Sequence, residues 1–102
     1  MNMTKHTETE TINVLNECID LQRKKSQDYQ NPNSTVKRAD HFVFGLESIH
    51  TMIHIKTTRA RSIIESKTLD NTQNESLEDT YKDLINYASF AIAHIRGKLD
   101  GQ

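Results

Sequence analysis

The apolar residues of this chain gather in three segments, and within each segment they recur every three or four positions. That spacing places them on one side of an α-helix, whereas a half-buried strand would show a strict alternation that appears nowhere in the sequence. The pattern therefore predicts an all-α fold in which three main helices pack as an antiparallel bundle.

The first predicted helix covers residues 9–29 and carries two apolar stripes. One stripe consists of Ile12, Leu15 and Ile19, and the other of Val14, Cys18 and Leu21. Because the stripes lie on different sides, we expect both faces of the helix to be covered, by the rest of the fold or by another subunit. Pro32 and its Asn and Ser neighbours end the helix, since proline disfavours helix at the preceding residue and Asn and Ser favour turns.

The rest of the chain predicts two further helices. Residues 36–45 indicate a short extra helix or a buried turn that ends at Gly45. The middle helix is predicted over residues 46–66 and the last over residues 75–99, with a polar loop over residues 66–74 between them. The last helix carries the most regular stripe, made of Leu77, Tyr81, Leu84, Ala88, Ala91 and Ile95.

Length and composition indicate one small domain. The 102 residues suffice for a single core, so we expect one domain over residues 1–102, with residues 1–8 as a flexible N-terminus. Only 34% of the residues are apolar. A core this thin gains from an interface with another copy, and we therefore expect a homo-oligomer.

The charge balance limits the kinds of molecule that the protein is expected to bind. Thirteen basic and 14 acidic residues leave a formal net charge of −1, so no overall positive field is available for strong nucleic-acid binding. The single cysteine, the polar first ten residues and the lack of a long apolar run predict a cytoplasmic protein that does not bind membranes.

The most informative cation lies in the middle helix. Lys56 sits at the centre of the apolar face that also carries Ile49, Ile53, Ala60 and Ile63. An ammonium group there needs a carboxylate or a bound anion, unless its stem runs over the apolar neighbours to water. Arg59 follows one turn later, so the two cations could grip a phosphate.

Two carboxylates one turn apart on the last helix are candidate metal ligands. Asp79 and Asp83 could share Mg²⁺, which prefers oxygen ligands and bridges to phosphates. Two other interpretations stay open. Ser76 and Asp79 fit a helix capping box, and either aspartate could form a buried ion pair with Lys56.

Three groups of residues together resemble a known family. They are Lys25-x-x-Asp28-Tyr29, Lys56-x-x-Arg59, and Glu75-Ser76-x-x-Asp79-x-x-x-Asp83-Leu84-x-Asn86-Tyr87. From about Cys18 to Gly97 the chain resembles the nucleotide modification associated domain 1 family of phages and bacteria. The resemblance implies a helical protein associated with phage nucleotide or DNA-base modification, located in the host cytoplasm if a phage encodes it. It also implies a site at the residues that match the family's motif positions, which are Asp28, Tyr29, Lys56, Arg59, Asp79, Asp83, Asn86 and Tyr87. We expect a nucleotide at this site, with Mg²⁺ at Asp79 and Asp83.

The last helix is also similar, more distantly, to the MazG-like all-α nucleotide pyrophosphohydrolases. In those enzymes paired acidic helices hold Mg²⁺ around a triphosphate. This chain departs from their pattern, because Ser76 stands three residues before Asp79 and the middle helix offers Lys56 and Arg59. If the protein is an enzyme, a pyrophosphohydrolase-like reaction on a nucleotide is the activity that this similarity implies.

Two functional hypotheses follow. In the first, a nucleotide lies between the middle and last helices, with Lys56 and Arg59 facing its phosphate and Tyr29 or Tyr87 stacking on its base. Asp79 and Asp83 would then hold a metal or pair with the cations. In the second, the chain is a non-enzymatic oligomeric helical module that binds a host protein or sequesters a nucleotide.

Overall fold

The computed structural model describes residues 9–29, 34–66 and 71–102, without the side chains of residues 27–29, 71 and 72. Three α-helices cover most of this part: α1 (Glu10–Tyr29), α2 (Leu46–Glu65) and α3 (Asn71–Ile95). A short 3₁₀ helix (Arg38–His41) precedes α2. The predicted all-α class, with three main helices in a bundle and a short extra helix before the middle one, is confirmed.

Helices α2 and α3 form an antiparallel pair around the main core. Lys56 of α2 contacts Asp83 of α3, whereas Arg59, further along α2, contacts Ser76, which lies earlier on α3. Ile49 is fully buried here and forms a cluster with Phe90 and Leu99. The apolar face predicted for the middle helix is thus the face that α2 turns towards α3, because burying it removes the most apolar area from water.

Helix α1 packs against α3 and makes no direct packing contact with α2 in the described part of the chain. Of its two predicted stripes, the one with Val14, Cys18 and Leu21 faces inwards, and Cys18 is only 2% exposed. The other stripe, with Ile12, Leu15 and Ile19, remains exposed. Among the residues that the structure describes, only one face of α1 is therefore covered.

The boundaries of α3 differ from the prediction at both ends. The helix begins at Asn71, within the segment predicted to be a loop, because a polar first turn has the same composition as a solvated loop. Ser76 is consequently an interior residue, and its carbonyl accepts a hydrogen bond from the Thr80 hydroxyl. The capping-box interpretation of Ser76 and Asp79 is therefore wrong.

Helix α3 ends at Ile95, four residues before the predicted end, and a glycine terminates it. Gly97 has a φ of 70° and donates to the carbonyl of His94, while the N–H of Lys98 donates to the carbonyl of Ala93. This is the Schellman arrangement, in which glycine adopts the left-handed conformation at low cost. The chain then reverses, and Leu99 returns to the core as part of a turn instead of a helix.

The C-terminal turn is fastened to the 3₁₀ helix. The N–H of Ala39 donates to the carbonyl of Asp100 at 2.9 Å. Gly101 has a φ of 89°, and a Cβ atom there would overlap the Cβ of Lys37, so only glycine fits. The two segments therefore form one continuous wall beside α3.

No helix in the described part of the chain combines the length and the apolar character needed to cross a membrane.

Candidate functional site

A wide cleft of about 1140 Å³ opens between the C-terminal half of α1, the 3₁₀ helix, α3 and the C-terminal turn. Ligand pockets in proteins commonly have volumes of roughly 300–1000 Å³, so this cleft has room for a nucleotide-sized molecule. Its walls come from segments that are far apart in the sequence. The shape of the cleft thus depends on how α1 and the C-terminal turn pack against α3.

Three aromatic rings form the apolar side of the cleft. Phe42, from the segment after the 3₁₀ helix, lies 6.4 Å from Tyr87 and 6.4 Å from Phe90, measured between ring centroids. Tyr87 and Phe90 meet edge to face at 5.8 Å. These separations are typical of favourable aromatic pairs, which hold one another in place. The rings give the cleft a rigid apolar surface.

Cationic side chains surround this aromatic surface. Lys25, Lys37, Arg38 and Lys98 line the cleft, against the carboxylates of Asp83 and Asp100. The guanidinium of Arg38 lies 4.2 Å above the centre of the Phe90 ring and donates a hydrogen bond of 2.5 Å to the Ser26 hydroxyl. Cations outnumber carboxylates in the lining, so the cleft favours an anionic ligand.

Asp83 joins all three helices through two ion pairs. Its Oδ2 atom lies 3.0 Å from Lys56 Nζ of α2, and its Oδ1 atom lies 3.2 Å from Lys25 Nζ of α1. Burial acts to raise the pKa of the Asp83 carboxyl, but the hydrogen bonds and charges of Lys56 and Lys25 outweigh it and hold this pKa below its usual value. The carboxylate predicted as a partner for Lys56 is therefore present.

A network of amides fastens α1 to α3 beside this ion pair. The side chain of Asn86 is buried; its Nδ2 atom donates to the carbonyl of Cys18 at 3.2 Å, and its Oδ1 atom accepts from Gln22 at 3.3 Å. Gln22 also donates to the Ser89 hydroxyl at 3.2 Å. Since Gln22, Asn86 and Ser89 line the cleft, this network also fixes its edge.

The structure brings some of the predicted site residues together and separates others. Asp83, Asn86 and Tyr87 line the cleft. Lys56 is outside its lining and lies behind Asp83, where its side chain is 24% exposed. Arg59 lies further along α2 and donates to the Ser76 hydroxyl at 3.1 Å.

The remaining predicted residues lie elsewhere. Asp79 is exposed and lines a separate small groove with Glu17 and Lys82. Lys82 bridges Glu17 of α1 and Glu78 of α3, and hydrogen bonds to both carboxylates raise its pKa. Asp28 and Tyr29 belong to the last turn of α1, but their side chains lie outside the described part of the structure.

The described side chains do not form a Mg²⁺ site on their own. Both oxygens of Asp83 face ammonium groups, and Asp79 points into the other groove. Within residues 9–29, 34–66 and 71–102, no group of three His, Cys, Asp or Glu side chains is placed to hold a metal ion. The Mg²⁺ predicted at Asp79 and Asp83 stays a prediction.

For several cleft residues, the sequence does not indicate that their side chains line a site. Lys37 and Arg38 lie in the 3₁₀ segment and Lys98 in the C-terminal turn, where no helical period indicates which way a side chain points. Phe42 offers a partial signal, because it belongs to the aromatic group at residues 41–44. That group predicts a buried segment without indicating what it packs against.

Comparison with known proteins supports the predicted resemblance. A family model described as nucleotide modification associated domain 1 matches residues 25–95, which is well over half of the chain. Neither a curated protein nor a solved structure matches the chain. The matched range includes Arg38, Phe42 and Tyr87 of the cleft, but not the C-terminal turn. This chain belongs to the nucleotide modification associated domain 1 family.

Proposed function

We propose that this protein binds a nucleotide in the cleft beside α3, as part of nucleotide or DNA-base modification. The observation that carries the proposal is the presence of an aromatic surface and a set of cations in one nucleotide-sized cleft. A nucleotide presents the complementary chemistry, with a flat base and an anionic phosphate. The family description supports the same class of ligand.

The base is proposed to lie against Phe42 and Tyr87. Stacking of a base on an aromatic side chain contributes about 1–3 kcal/mol and tolerates different bases, because every base has a π-face. One face of the third ring, Phe90, is already covered by Arg38. The stacking surface is therefore the part of the cleft away from Arg38, while Arg38 marks the phosphate end.

The phosphate is proposed to lie near Lys37, Arg38 and Lys98. The guanidinium of Arg38 is oriented by the Phe90 ring and the Ser26 hydroxyl, so little side-chain entropy remains to be lost when an anion binds. In this arrangement these three cations make the phosphate contacts that the sequence predicts for Lys56 and Arg59. Lys56 neutralises Asp83 instead, and Lys25, which also pairs with Asp83, lines the cleft beside it.

Ligand-dependent stabilisation tests the proposal. We expect nucleoside mono-, di- or triphosphates, added with and without Mg²⁺, to raise the melting temperature. A ligand at 100 times its dissociation constant stabilises the folded state by about 2.7 kcal/mol, which for a domain of this size shifts Tm by roughly 10–20 °C. The absence of any shift with every nucleotide at millimolar concentration would contradict the proposal.

A pair of arginine variants locates the binding site. Arg38→Ala removes the oriented guanidinium and is expected to weaken binding at least about tenfold in a calorimetric titration, the effect of one charge-assisted hydrogen bond. Arg23→Ala is the matched control, because Arg23 is an exposed arginine of α1 outside the cleft lining. Equal affinities for the two variants would place the ligand elsewhere.

Product analysis separates an enzyme from the alternative function, an oligomeric helical module without catalytic activity. The exposed apolar stripe of α1 supports the module. If Asp83→Asn abolishes product formation and leaves binding intact, the protein is an enzyme with a pyrophosphohydrolase-like reaction as the first candidate. Tight binding without turnover of any nucleotide supports the module.

A further inference from the structure

The side chain of Gln22 joins α1 to α3 and also lines the cleft. Its Nε2 atom lies 3.3 Å from Asn86 Oδ1 and 3.2 Å from Ser89 Oγ. An amide group donates hydrogen bonds through its nitrogen and accepts them through its oxygen. Which end of the amide is engaged with α3 therefore decides what Gln22 can offer to a ligand.

A backbone carbonyl fixes the orientation of both amides in this contact. The carbonyl of Cys18 can only accept, so the Asn86 side chain turns its Nδ2 atom towards it, at 3.2 Å. Asn86 Oδ1 then faces Gln22 and can itself only accept, so Gln22 presents its Nε2 atom to α3. The reversed orientation of Gln22 would set two acceptor oxygens against each other.

The Ser89 hydroxyl engages the second proton of the Gln22 amide. Ser89 Oγ donates its own proton to the carbonyl of Asn86 at 2.6 Å, so it accepts the proton that Gln22 supplies. Both N–H groups of Gln22 are thus engaged with α3. Among the described residues, no group donates a hydrogen bond to Gln22 Oε1. The acceptor of this side chain is therefore left for a ligand.

This acceptor belongs to the base end of the cleft. Asn86, the partner of Gln22, directly precedes Tyr87 on α3, whereas the Arg38 guanidinium lies over Phe90, about one turn further along the helix. One helical turn advances by about 5.4 Å. A base that stacks on Tyr87 therefore has an edge beside Gln22 while its phosphate is directed towards Arg38.

We propose that Gln22 Oε1 selects cytosine and adenine, which carry an amino group where uracil and hypoxanthine carry a keto oxygen; this inference rests on the nucleotide site proposed above. The amino group donates to Oε1, whereas a keto oxygen directs lone pairs at it and leaves it without a hydrogen bond. The ring N–H of uracil is a poor substitute, because a keto oxygen flanks it on each side. Stacking tolerates every base, so the Gln22 contact is what discriminates among them.

Calorimetric titration with two matched pairs of nucleotides tests the proposal on the unaltered protein. The pairs are cytidine with uridine monophosphate and adenosine with inosine monophosphate, and the corresponding triphosphates form a second set. Within each pair the sugar and the phosphates are the same. We expect the amino-bearing member to bind about tenfold more tightly, the effect of one hydrogen bond gained against an acceptor left unsatisfied.

A pair of variants assigns the preference to Gln22. Gln22→Met keeps the length of the side chain without the acceptor and is expected to remove the preference by weakening the amino-bearing nucleotides alone. Ser89→Ala is the matched control, because it removes one hydrogen bond of the same network but keeps Gln22 Oε1, and it should retain the preference. Far-ultraviolet circular dichroism checks that both variants stay helical.

The outcomes distinguish this inference from the nucleotide site on which it rests. Nucleotides that bind with equal affinities within both pairs would overturn the selection by Gln22 and leave the nucleotide site standing. A preference that persists in folded Gln22→Met would overturn it as well. If none of the nucleotides binds, the nucleotide site itself is contradicted, and the selection with it.

Discussion

The two helices that flank α3 are held by different chemistry. Helix α2 meets α3 through an apolar core in which Ile49 is fully buried against Phe90 and Leu99. Helix α1 meets α3 largely through polar groups, including the Asn86 amide and the ion pairs of Asp83 and Lys82. Cys18 is the one apolar side chain of α1 that is fully buried among the described residues.

The two contacts therefore contribute differently, one mainly to stability and the other mainly to geometry. Apolar burial is proportional to area and insensitive to direction, so the α2–α3 contact supplies most of the stability. Hydrogen bonds and ion pairs contribute less net free energy but fix geometry. The cleft opens across the polar contact, because Gln22, Asn86 and Ser89 belong both to that contact and to the cleft lining.

The largest expected effect tests the apolar contact. Ile49→Ala leaves a cavity in the core and is expected to lower the free energy of unfolding by about 2–5 kcal/mol in urea titrations. Ile55→Ala, on the same helix but half exposed, is the control and is expected to cost less than about 1 kcal/mol. Similar losses for both variants would mean that α2 and α3 do not share the core described.

The next effect tests the amide network. Asn86→Ala leaves the carbonyl of Cys18 without the side-chain hydrogen bond that it accepts and removes a partner of Gln22. We expect a loss of about 1–3 kcal/mol, the cost of an unsatisfied buried polar group. The change should be accompanied by faster hydrogen exchange in α1. An unchanged stability would show that the polar contact does not hold this helix.

A smaller effect concerns pH. The folded-state pKa of Asp83 is lowered, so its carboxylate stabilises the fold above the unfolded pKa of about 3.9, and this contribution is lost as the pH falls through the folded value. We expect Asp83→Asn to cost about 1 kcal/mol at pH 6 and less at pH 3. Asp20→Asn, which changes an exposed carboxylate of α1, is the control. An equal cost of Asp83→Asn at both pH values would contradict the ion pairs.

The smallest effect compares the two lysines of Asp83. Lys25 is 47% exposed and Lys56 only 24%, so water screens the Lys25 pair more strongly. Lys25→Ala is expected to cost less than about 0.5 kcal/mol, and Lys56→Ala more than that. The reverse order in denaturant titrations would mean that Asp83 belongs mainly to the α1 contact.

The sequence predicts the apolar contact better than the polar one. The helical period of α2 identifies the inward face, and the position of Lys56 within it predicts an acidic partner, which proves to be Asp83. On α3, by contrast, the most regular apolar stripe leaves Tyr81 and Ile95 exposed, whereas Thr80 and Asn86 are buried. Periodicity indicates that a face is apolar, but not which neighbour covers it.

The helical pattern of apolar residues does not predict which residues line the cleft. Arg38 and Lys98 reach it because Gly97 and Gly101 turn the chain back on to the 3₁₀ helix. Those turns depend on backbone conformation and on a close approach to Lys37. The family resemblance therefore predicts an anionic ligand. The cations that line the cleft are identified only from the fold.

Hydrogen exchange with and without a saturating nucleoside phosphate tests the central claim most directly. If the ligand lies across the polar contact, protection should rise at residues 20–26 and 37–42, on the two walls opposite α3, and change little at residues 56–60 of α2. No change in those walls under saturating ligand, or protection confined to α2 around Lys56 and Arg59, would contradict a site in this cleft.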